Sequence, residues 1–272
     1  MAELPEIAKL AGQMRDALCG KTVQAVTLLQ EKCANISPGE FQKRVAGAKI
    51  GGISYKGKWI ITTLSNSENI LLSLGMGADI LFFENDDRES DKYQAKLVFT
   101  DGSGYTARFW WFGKFLLVSK SELSLEPSLI NIALDPFDKK FTLEYFMSLI
   151  KDKKAQVKAF LMNQGNIGGI GNMYVHDILF KARLHPQRKI SDMDEGDIKL
   201  LFRSMMEILN LSRENGSFAY ESDFFGQKGG FTMDYFLVGY KENKPCPVCS
   251  ETIVLIKTGS TSSYICPVCQ RI

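Results

Sequence analysis

The chain closes with two identical tetrapeptides, Cys246-Pro-Val-Cys249 and Cys266-Pro-Val-Cys269, which are separated by sixteen residues. Two CxxC pairs at this separation can place four thiolates around one zinc ion in a tetrahedron. Between the pairs, the apolar run 253–257 predicts a strand, residues 259–263 predict a turn, and Tyr264-Ile265 predicts a returning strand. The pattern therefore predicts a zinc ribbon. Because cysteines fill all four ligand positions, the metal is expected to be structural.

Two disulfides are the alternative for these four cysteines, and they require an oxidising compartment. The N-terminus argues against export, because it carries Glu3 and Glu6 and lacks the apolar region of a signal peptide. No apolar run reaches the roughly 18 residues that a membrane span needs. We therefore expect a cytoplasmic protein with no membrane segment, one bound zinc ion, and free thiols at Cys19 and Cys33.

The apolar pattern changes from helical to strand-like and back along the rest of the chain. Residues 7–18 follow helical spacing, and Pro5 suits the first turn of that helix. Six short strands are then predicted, at 23–28, 50–55, 59–64, 70–74, 95–99 and 105–111. Gly57-Lys58 forms the tip of a predicted hairpin. Helical patterns return at 141–151, 154–162, 173–182 and 191–210.

These patterns predict an α+β multidomain fold. Its parts are an N-terminal β-sandwich with a leading helix (1–121), a linker (122–140), a helical domain (141–239) and the zinc ribbon (240–272). The 272 residues are 45% hydrophobic and 24% charged, which is ordinary for a globular protein with real cores. The net charge of +2 is compatible with a nucleic-acid partner without indicating one. A monomer is expected by default.

Four glycines fall within residues 165–171, directly before the predicted helix at 173–182. Exposed amides in such a turn can hold a phosphate, and glycine allows close approach of a ligand. A tight turn between two helices, beside a solvated lysine-rich face, explains the same residues. A nucleotide-binding P-loop is disfavoured because the GxxxxGK[ST] pattern and its preceding strand are missing.

Several short motifs occur once each along the chain, in a characteristic order. They are Glu3-Leu4-Pro5-Glu6, Gly57-Lys58, Leu74-Gly75-Met76, Phe112-Gly113, Gly168-Gly169-Ile170-Gly171-Asn172-Met173-Tyr174, His185-Pro186 and the four-cysteine ribbon ending in Gln270-Arg271. Together they resemble the formamidopyrimidine-DNA glycosylase and endonuclease VIII family over almost the whole chain. The resemblance implies a β-sandwich, a helix–two-turn–helix domain and a zinc finger, with damaged double-stranded DNA as partner.

The resemblance also implies a mechanism in which a damaged base is flipped out of the duplex. Removal of Met1 would expose the α-amine of Ala2, which attacks the sugar C1′ to form a Schiff base. The base then leaves, and β/δ elimination cuts the strand. An α-amine with a pKa of about 8 is partly unprotonated at neutral pH, which a lysine amine is not.

The family's site residues map onto this chain by motif. Glu3 matches the acid beside the nucleophile, and the hairpin residue Lys58 matches a catalytic lysine that contacts phosphate. Further matches to DNA-binding positions are Lys158, Asn172, Met76 and Phe112, of which the last two fill the gap left by the flipped base. Purely structural roles remain alternatives: a helix N-terminal acid, an exposed turn lysine, and core Met and Phe side chains.

Four positions depart from the family pattern. Ala2 stands where a proline is usual, so the imine formed there must be protonated before it can accept electrons. Trp110 replaces a void-filling arginine, and it can stack but cannot make that side chain's hydrogen bonds. Thr261 replaces a phosphate-binding arginine, for which Lys257 nearby could partly substitute. Asp177 replaces a glutamate, which shortens the reach of the carboxylate.

The aromatic-rich stretch 217–231 lies where some members carry a loop that covers the lesion, although a plain connection is equally compatible. Three functions remain open at this point. The first is a glycosylase with apurinic-site lyase activity that uses Ala2. The second is a lesion-binding relative with weak or no cleavage. The third is a monofunctional glycosylase in which Glu3 activates water.

Overall fold

A computed structural model describes residues 2–85, 92–219 and 221–272. The chain forms two compact units. The first contains residues up to Asn131 together with Gly216–Gly230, and the second contains Ile132–Asn215 with Phe231–Ile272. The return of residues 216–230 to the first unit is not indicated by the sequence pattern. The bounds of the four predicted parts, 1–121, 122–140, 141–239 and 240–272, stay a prediction.

The first unit is a β-sandwich preceded by a helix, as the sequence predicts. Its two antiparallel sheets have the strand orders β1-β6-β7-β5 and β2-β3-β4-β8. The strands are β1 (Val23–Leu28), β2 (Ile50–Lys56), β3 (Trp59–Leu64), β4 (Glu68–Ser73), β5 (Asp79–Phe83), β6 (Ala95–Phe99), β7 (Gly104–Arg108) and β8 (Lys114–Ser119). The helices of this unit are α1 (Leu4–Leu18), α2 (Pro38–Val45) and α3 (Pro127–Ile130).

One apolar core joins α1 to both sheets. It includes Ile7 and Met14 of α1, Leu97 of one sheet, and Ile60 and Phe115 of the other, all at most 1% exposed. Burial of each such side chain contributes about 1.5–3 kcal/mol to folding. One face of α1 therefore packs against the core, and the opposite face carries polar side chains.

Two strands, β5 and β8, and two helices, α2 and α3, of this unit were not predicted. In β8 the run Phe115–Val118 is buried at every position, so the strand lacks the alternation that marks a half-exposed strand. The strand β5 has only five residues. The helix α2 does carry a start signal, because Ser37 accepts a hydrogen bond from the Glu40 backbone and Pro38 begins the helix.

The second unit combines short helices with the C-terminal hairpin. Its helices are α4 (Leu143–Ile150), α5 (Val157–Met162), α6 (Val175–Lys181) and α7 (Glu195–Glu214), and its strands are β9 (Val254–Thr258) and β10 (Thr261–Ile265). The predicted helices at these places are confirmed with shorter or shifted ends. Of all the helices in the described ranges, none is long and apolar enough to cross a membrane.

The hairpin turn is shorter than the sequence suggests. Thr261 pairs with Thr258, so only Gly259 and Ser260 lie between the strands, and the Thr-Ser-Ser stretch belongs to β10. Gly259 has φ +61, a conformation that favours glycine. The hydroxyl side chains of residues 261–263 therefore lie in the ladder rather than in an open loop.

Candidate functional site

The N-terminal residues are fixed at the start of α1. Ala2 is 4% exposed and Glu3 is 2% exposed, and Ala2 belongs to the same core as the helix. The Glu3 backbone N–H donates to Glu6 Oε2 at 3.0 Å, and the Ile7 N–H donates to the Glu3 carbonyl at 2.9 Å. Met1, whose removal is expected, lies outside the described residues.

Lys58 lies in the two-residue turn of the β2–β3 hairpin. The strand ladder runs as far as the Lys56–Trp59 pair, so Gly57 and Lys58 alone make the connection. Gly57 has φ +56, which glycine adopts without strain. Within the described part of the chain, the Lys58 ammonium forms no ion pair or hydrogen bond. The predicted hairpin tip is confirmed, and its cation is available to an anionic ligand.

Three consecutive aromatic side chains form an exposed patch after β7. Trp110 is 72% exposed, Trp111 is 63% and Phe112 is 80%, and the neighbouring Met76 is 44% exposed. The core alternative for Met76 and Phe112 is therefore wrong. Large apolar side chains exposed together usually mark a binding surface. Trp111 was missed by the sequence reasoning, although the Trp-Trp-Phe run itself was a visible signal.

Beneath this patch, the backbone at Met76 lies close to the backbone at Trp110 and Trp111. The Met76 N–H donates to the Trp111 carbonyl at 2.9 Å, and the Trp110 N–H donates to the Met76 carbonyl at 3.0 Å. A Cβ atom added at Gly75 would lie 2.1 Å from the Trp111 carbonyl oxygen, so only glycine permits the approach. Two backbone hydrogen bonds therefore attach the patch to Met76.

The four cysteines of the ribbon converge on one point. Their Sγ atoms all lie within 4.8 Å of one another. The Cys249–Cys266 and Cys249–Cys269 Sγ distances are 3.4 and 3.5 Å, and the Cys246–Cys269 distance is 3.8 Å. A tetrahedral zinc site with Zn–S bonds of about 2.3 Å has sulfur–sulfur edges of about 3.8 Å. These residues fit one structural zinc ion, and the separations are too long for disulfides.

Lys158 is buried against the zinc hairpin and is only 3% exposed. Its Nζ lies within hydrogen-bond distance, 2.7–3.1 Å, of four oxygens that share its three N–H donors: Thr258 Oγ1, Thr261 Oγ1, the Ser262 carbonyl and Ser263 Oγ. Within the described residues, no carboxylate pairs with this ammonium. Burial lowers the pKa of Lys158 to about 8. Thr261 stands where the family resemblance places an arginine, and its hydroxyl accepts a hydrogen bond from Lys158 of α5.

His176 of α6 is buried beside two aromatic rings. Its ring lies edge-on to Tyr264 at 5.2 Å and to Tyr240 at 6.2 Å. Neither ring nitrogen has a hydrogen-bond partner in the described parts of the chain. Burial, reinforced by the charge of Lys158, lowers the pKa of His176 to about 3, so the imidazole is neutral. No sequence signal indicated this residue, since a lone histidine in a helix has many settings.

The glycine-rich turn uses its backbone amides internally. The Gly165 N–H donates to Asn163 Oδ1, the Gly168 N–H to the Leu134 carbonyl, and the Gly169 N–H to Gln164 Oε1. These bonds favour the tight-turn interpretation over a cradle of free amides. By contrast, the buried Asn172 Oδ1 has no partner among the described residues. The role of Asn172 as a DNA contact stays a prediction.

Asp177 stabilises the chain segment that leads into the ribbon. It is 1% exposed and accepts backbone hydrogen bonds from Leu237, Val238 and Gly239 at 2.7–2.9 Å. Burial raises the pKa of its carboxyl group, and the three amide donors oppose this effect. The shorter acid at this position therefore has a structural role. Lys257, on the opposite side of β9 from Thr258, is exposed to solvent.

Comparison with known proteins shows three family models in sequence. The formamidopyrimidine-DNA glycosylase N-terminal domain matches residues 1–111, the H2TH domain of the same glycosylase matches 132–222, and the zinc finger found in FPG and IleRS matches 243–272. The curated formamidopyrimidine-DNA glycosylase of Mycoplasma mobile is 31% identical, with all of both chains covered. That of Pelotomaculum thermopropionicum is 28% identical over the same full coverage.

Solved structures show the same fold. Lactococcus lactis Fpg in complex with DNA containing an abasic site superposes with a TM-score of 0.91 at 24% identity, with both chains fully covered. The MutM (FPG) protein of Thermus thermophilus gives a TM-score of 0.87 at 24% identity over 98% of each chain. From its full-length sequence match and its complete zinc-ligand set, the chain belongs to the formamidopyrimidine-DNA glycosylase family.

Proposed function

We propose that this protein is a base-excision DNA glycosylase with abasic-site lyase activity, and that the α-amine of Ala2 is its nucleophile. Family membership over the whole chain carries the proposal. The lesion-binding alternative without cleavage is not favoured, because the relatives found are named as glycosylases. The two hydrogen bonds that fix Glu3 at the start of α1 also fix the backbone next to the nucleophile.

The chemistry follows from the properties of a primary amine. The unprotonated α-amine attacks the sugar C1′, the C1′–N bond breaks, and its electrons leave with the damaged base. Loss of a proton from nitrogen and opening of the sugar ring give an imine. A proton on that imine makes it an electron sink, so that the C2′ hydrogen can leave as a proton and the 3′ phosphate can depart. The Glu3 carboxyl group, one residue away, is the proposed proton carrier.

The proposed DNA contacts fall into two chemical classes. Lys58, Asn172 and Lys257 offer charged or polar groups to phosphate oxygens, and Lys158 brings a further cation to the zinc hairpin. Met76, Trp110 and Phe112 offer apolar surface to bases beside the flipped nucleotide. The substrate is damaged double-stranded DNA. We place the protein in the cytoplasm with the nucleoid, acting as a monomer.

Borohydride trapping tests the nucleophile directly. The purified protein is incubated with a duplex containing a preformed abasic site, and sodium borohydride is added to reduce the Schiff base. We expect a covalent protein–DNA adduct whose attachment maps to Ala2 by mass spectrometry. A chain with an acetylated N-terminus should give no adduct, because an amide nitrogen is not nucleophilic.

The control is a protein mock-acetylated under the same conditions without reagent. A Glu3→Gln variant should bind the abasic duplex normally and form the adduct much more slowly. Tight binding of the abasic duplex without any adduct in the untreated protein would refute the lyase proposal. An adduct attached to a lysine would refute the role of Ala2 alone.

A further inference from the structure

Trp110 and Trp111 lie beside the backbone bridge to Met76, and their indoles face different ways. A Cβ atom added at Gly77 would lie 2.9 Å from Cδ2 of Trp110, so the Trp110 ring packs over this glycine. Trp111 occupies the bridge position opposite Met76. Because consecutive side chains of an extended strand point to opposite faces, the Trp111 indole faces away from the surface that Trp110 covers. Trp111 is 63% exposed.

The Trp111 indole has no partner within the described residues. It neither stacks on another aromatic ring nor donates its N–H to an acceptor there. One flipped nucleotide leaves one gap in a duplex, and Met76, Trp110 and Phe112 are the side chains proposed to fill that gap. An indole on the other face of the bridge has no place in it. The Trp111 ring is therefore available to a further base.

The side chains of this patch can contact bases whether or not the bases are paired. An indole carries one N–H donor and no acceptor, a phenyl ring carries neither, and a thioether offers only a weak acceptor. The aromatic rings can stack on any base, since every base has a π-face. The patch therefore offers no hydrogen-bonding pattern that would require a particular base on a second strand.

The patch continues one end of the sheet β2-β3-β4-β8. Lys114 and Ser73 form the last pair of strands β8 and β4 at this end. Trp111 lies three residues before Lys114, and Met76 lies three residues after Ser73. The bridge between Trp111 and Met76 therefore extends the two strands outward beyond their last pair.

The Lys58 turn lies at the same end of this sheet, because Trp59, the next residue, pairs with Ser73. Lys114 pairs with Ser73 from the other side, and its ammonium donates to the Lys32 carbonyl at 3.2 Å. In the described ranges, no carboxylate forms an ion pair with any of these three lysines. Exposed aromatic faces beside positive charges are the combination with which proteins bind single-stranded nucleic acid.

We propose that Trp111 and Lys114 bind an unpaired DNA strand, and that this site extends the activity of the protein to single-stranded DNA. Trp111 stacks on one base, and Lys114 binds a phosphate of the same strand. The inference goes beyond the proposed function, which concerns duplex DNA, and it rests on that function only for the amine that cleaves the strand. The added site contributes binding and no new chemical step.

Binding of an undamaged oligothymidine tests the site without any reaction. Fluorescence anisotropy measures the affinity of the labelled single strand, and also that of a duplex with a reduced, uncleavable abasic site. The variants are Trp111→Ala, Trp111→Leu and Trp111→Phe. Leucine keeps an apolar side chain but cannot stack as a ring does, whereas phenylalanine keeps a ring. Leu125→Ala, at a position that is 68% exposed, is the matched control.

We expect Trp111→Ala and Trp111→Leu to weaken single-strand binding about tenfold, which corresponds to the loss of one stacked base. Trp111→Phe should stay within about threefold of wild type, and all three variants should keep duplex affinity within about twofold. With an abasic single strand below saturation, Trp111→Ala should slow cleavage about tenfold and leave cleavage of the abasic duplex unchanged.

Lys114→Ala provides a second test if the Trp111 variants do not fold. Removal of one phosphate contact should flatten the slope of log K against log salt for the single strand by about 0.7. Lys49→Ala is the matched control, because Lys49 is an exposed lysine just before the opposite end of β2. It should leave the slope unchanged.

Equal losses of affinity for the single strand and the duplex, or no loss for either, would overturn the inference. Failure of the wild type to bind the single strand would overturn it as well, and so would cleavage of the abasic duplex without cleavage of the abasic single strand. A wild-type protein that binds the single strand through Trp111 and cleaves neither substrate would instead refute the proposed nucleophile, so the two failures are distinguishable.

Discussion

Two lysines that the family resemblance assigns to DNA lie in opposite environments. Lys58 stands in a two-residue turn, and its ammonium has no partner among the described residues. Lys158 is 3% exposed, and four oxygen atoms of the zinc hairpin surround its ammonium. A phosphate must compete with those oxygens for Lys158 but has no competitor at Lys58. Matching positions in a family can therefore carry charges with different availability.

Removal of zinc should have the largest effect on the environment of Lys158, because the zinc hairpin supplies all four of its acceptors. The Cys266→Ser variant, or the wild type after chelation, is expected to lose the hairpin. Structural zinc contributes about 10–16 kcal/mol to the folding of isolated zinc-finger peptides. We expect loss of bound zinc by metal analysis, a lower melting temperature and loss of abasic-DNA binding.

Cys33→Ser is the matched control, since Cys33 is a buried thiol outside the cluster. It should retain zinc and DNA binding. A chelated protein that keeps its melting curve and its DNA affinity would contradict the structural role of the metal.

The Lys158→Ala substitution isolates the buried lysine. It removes the buried stem and leaves hairpin oxygens without a donor, so we expect the free energy of unfolding to fall by about 2 kcal/mol. Lys257→Ala, which changes an exposed lysine on the same hairpin, should stay within about 0.5 kcal/mol of wild type. Urea unfolding monitored by tryptophan fluorescence and circular dichroism measures both. Equal effects from the two substitutions would show that burial confers no special role on Lys158.

The pH dependence of stability provides a separate check on Lys158. Burial lowers its pKa from 10.5 to about 8, so between these values the unfolded chain holds a proton that the folded chain has released. The free energy of unfolding should therefore rise with pH in this window, by about 1 kcal/mol per pH unit relative to Lys158→Ala. A difference between the two proteins that stays constant from pH 7 to 10 would contradict the assigned environment.

The same contrast explains how far the sequence could predict this molecule. The zinc ligands, the leading helix and the Lys58 turn depend on short-range patterns, of which the sixteen-residue gap between the two CxxC pairs is the longest, and all three are confirmed. The setting of Lys158 depends on acceptors 100 to 105 residues further along the chain. The attachment of residues 216–230 to α1 joins groups more than 200 residues apart. Local periodicity carries no information about such pairs.

The aromatic patch is intermediate between the features set by the local sequence and those set by long-range contacts. Its residues are adjacent in sequence, and the family motif around Phe112 was recognisable. Its exposure follows from the crossing of Met76 with Trp111, which only a glycine at position 75 allows. The signal was present in Leu74-Gly75-Met76, but its meaning depends on a partner strand. The residue types at a turn follow from the local sequence, whereas the exposure of the surface that the turn forms does not.

The smallest expected effect on stability, and the sharpest on DNA binding, comes from Lys58→Ala. Because the side chain has no partner in the described protein, the free energy of unfolding should change by less than about 0.5 kcal/mol. Because the charge is free for phosphate, the slope of log K against log salt for an abasic duplex should fall by about 0.9. Lys158→Ala, measured well below its melting temperature, should change that slope by much less. If the slope changes at Lys158 and not at Lys58, the buried lysine is the phosphate contact and the assignment of the two roles reverses.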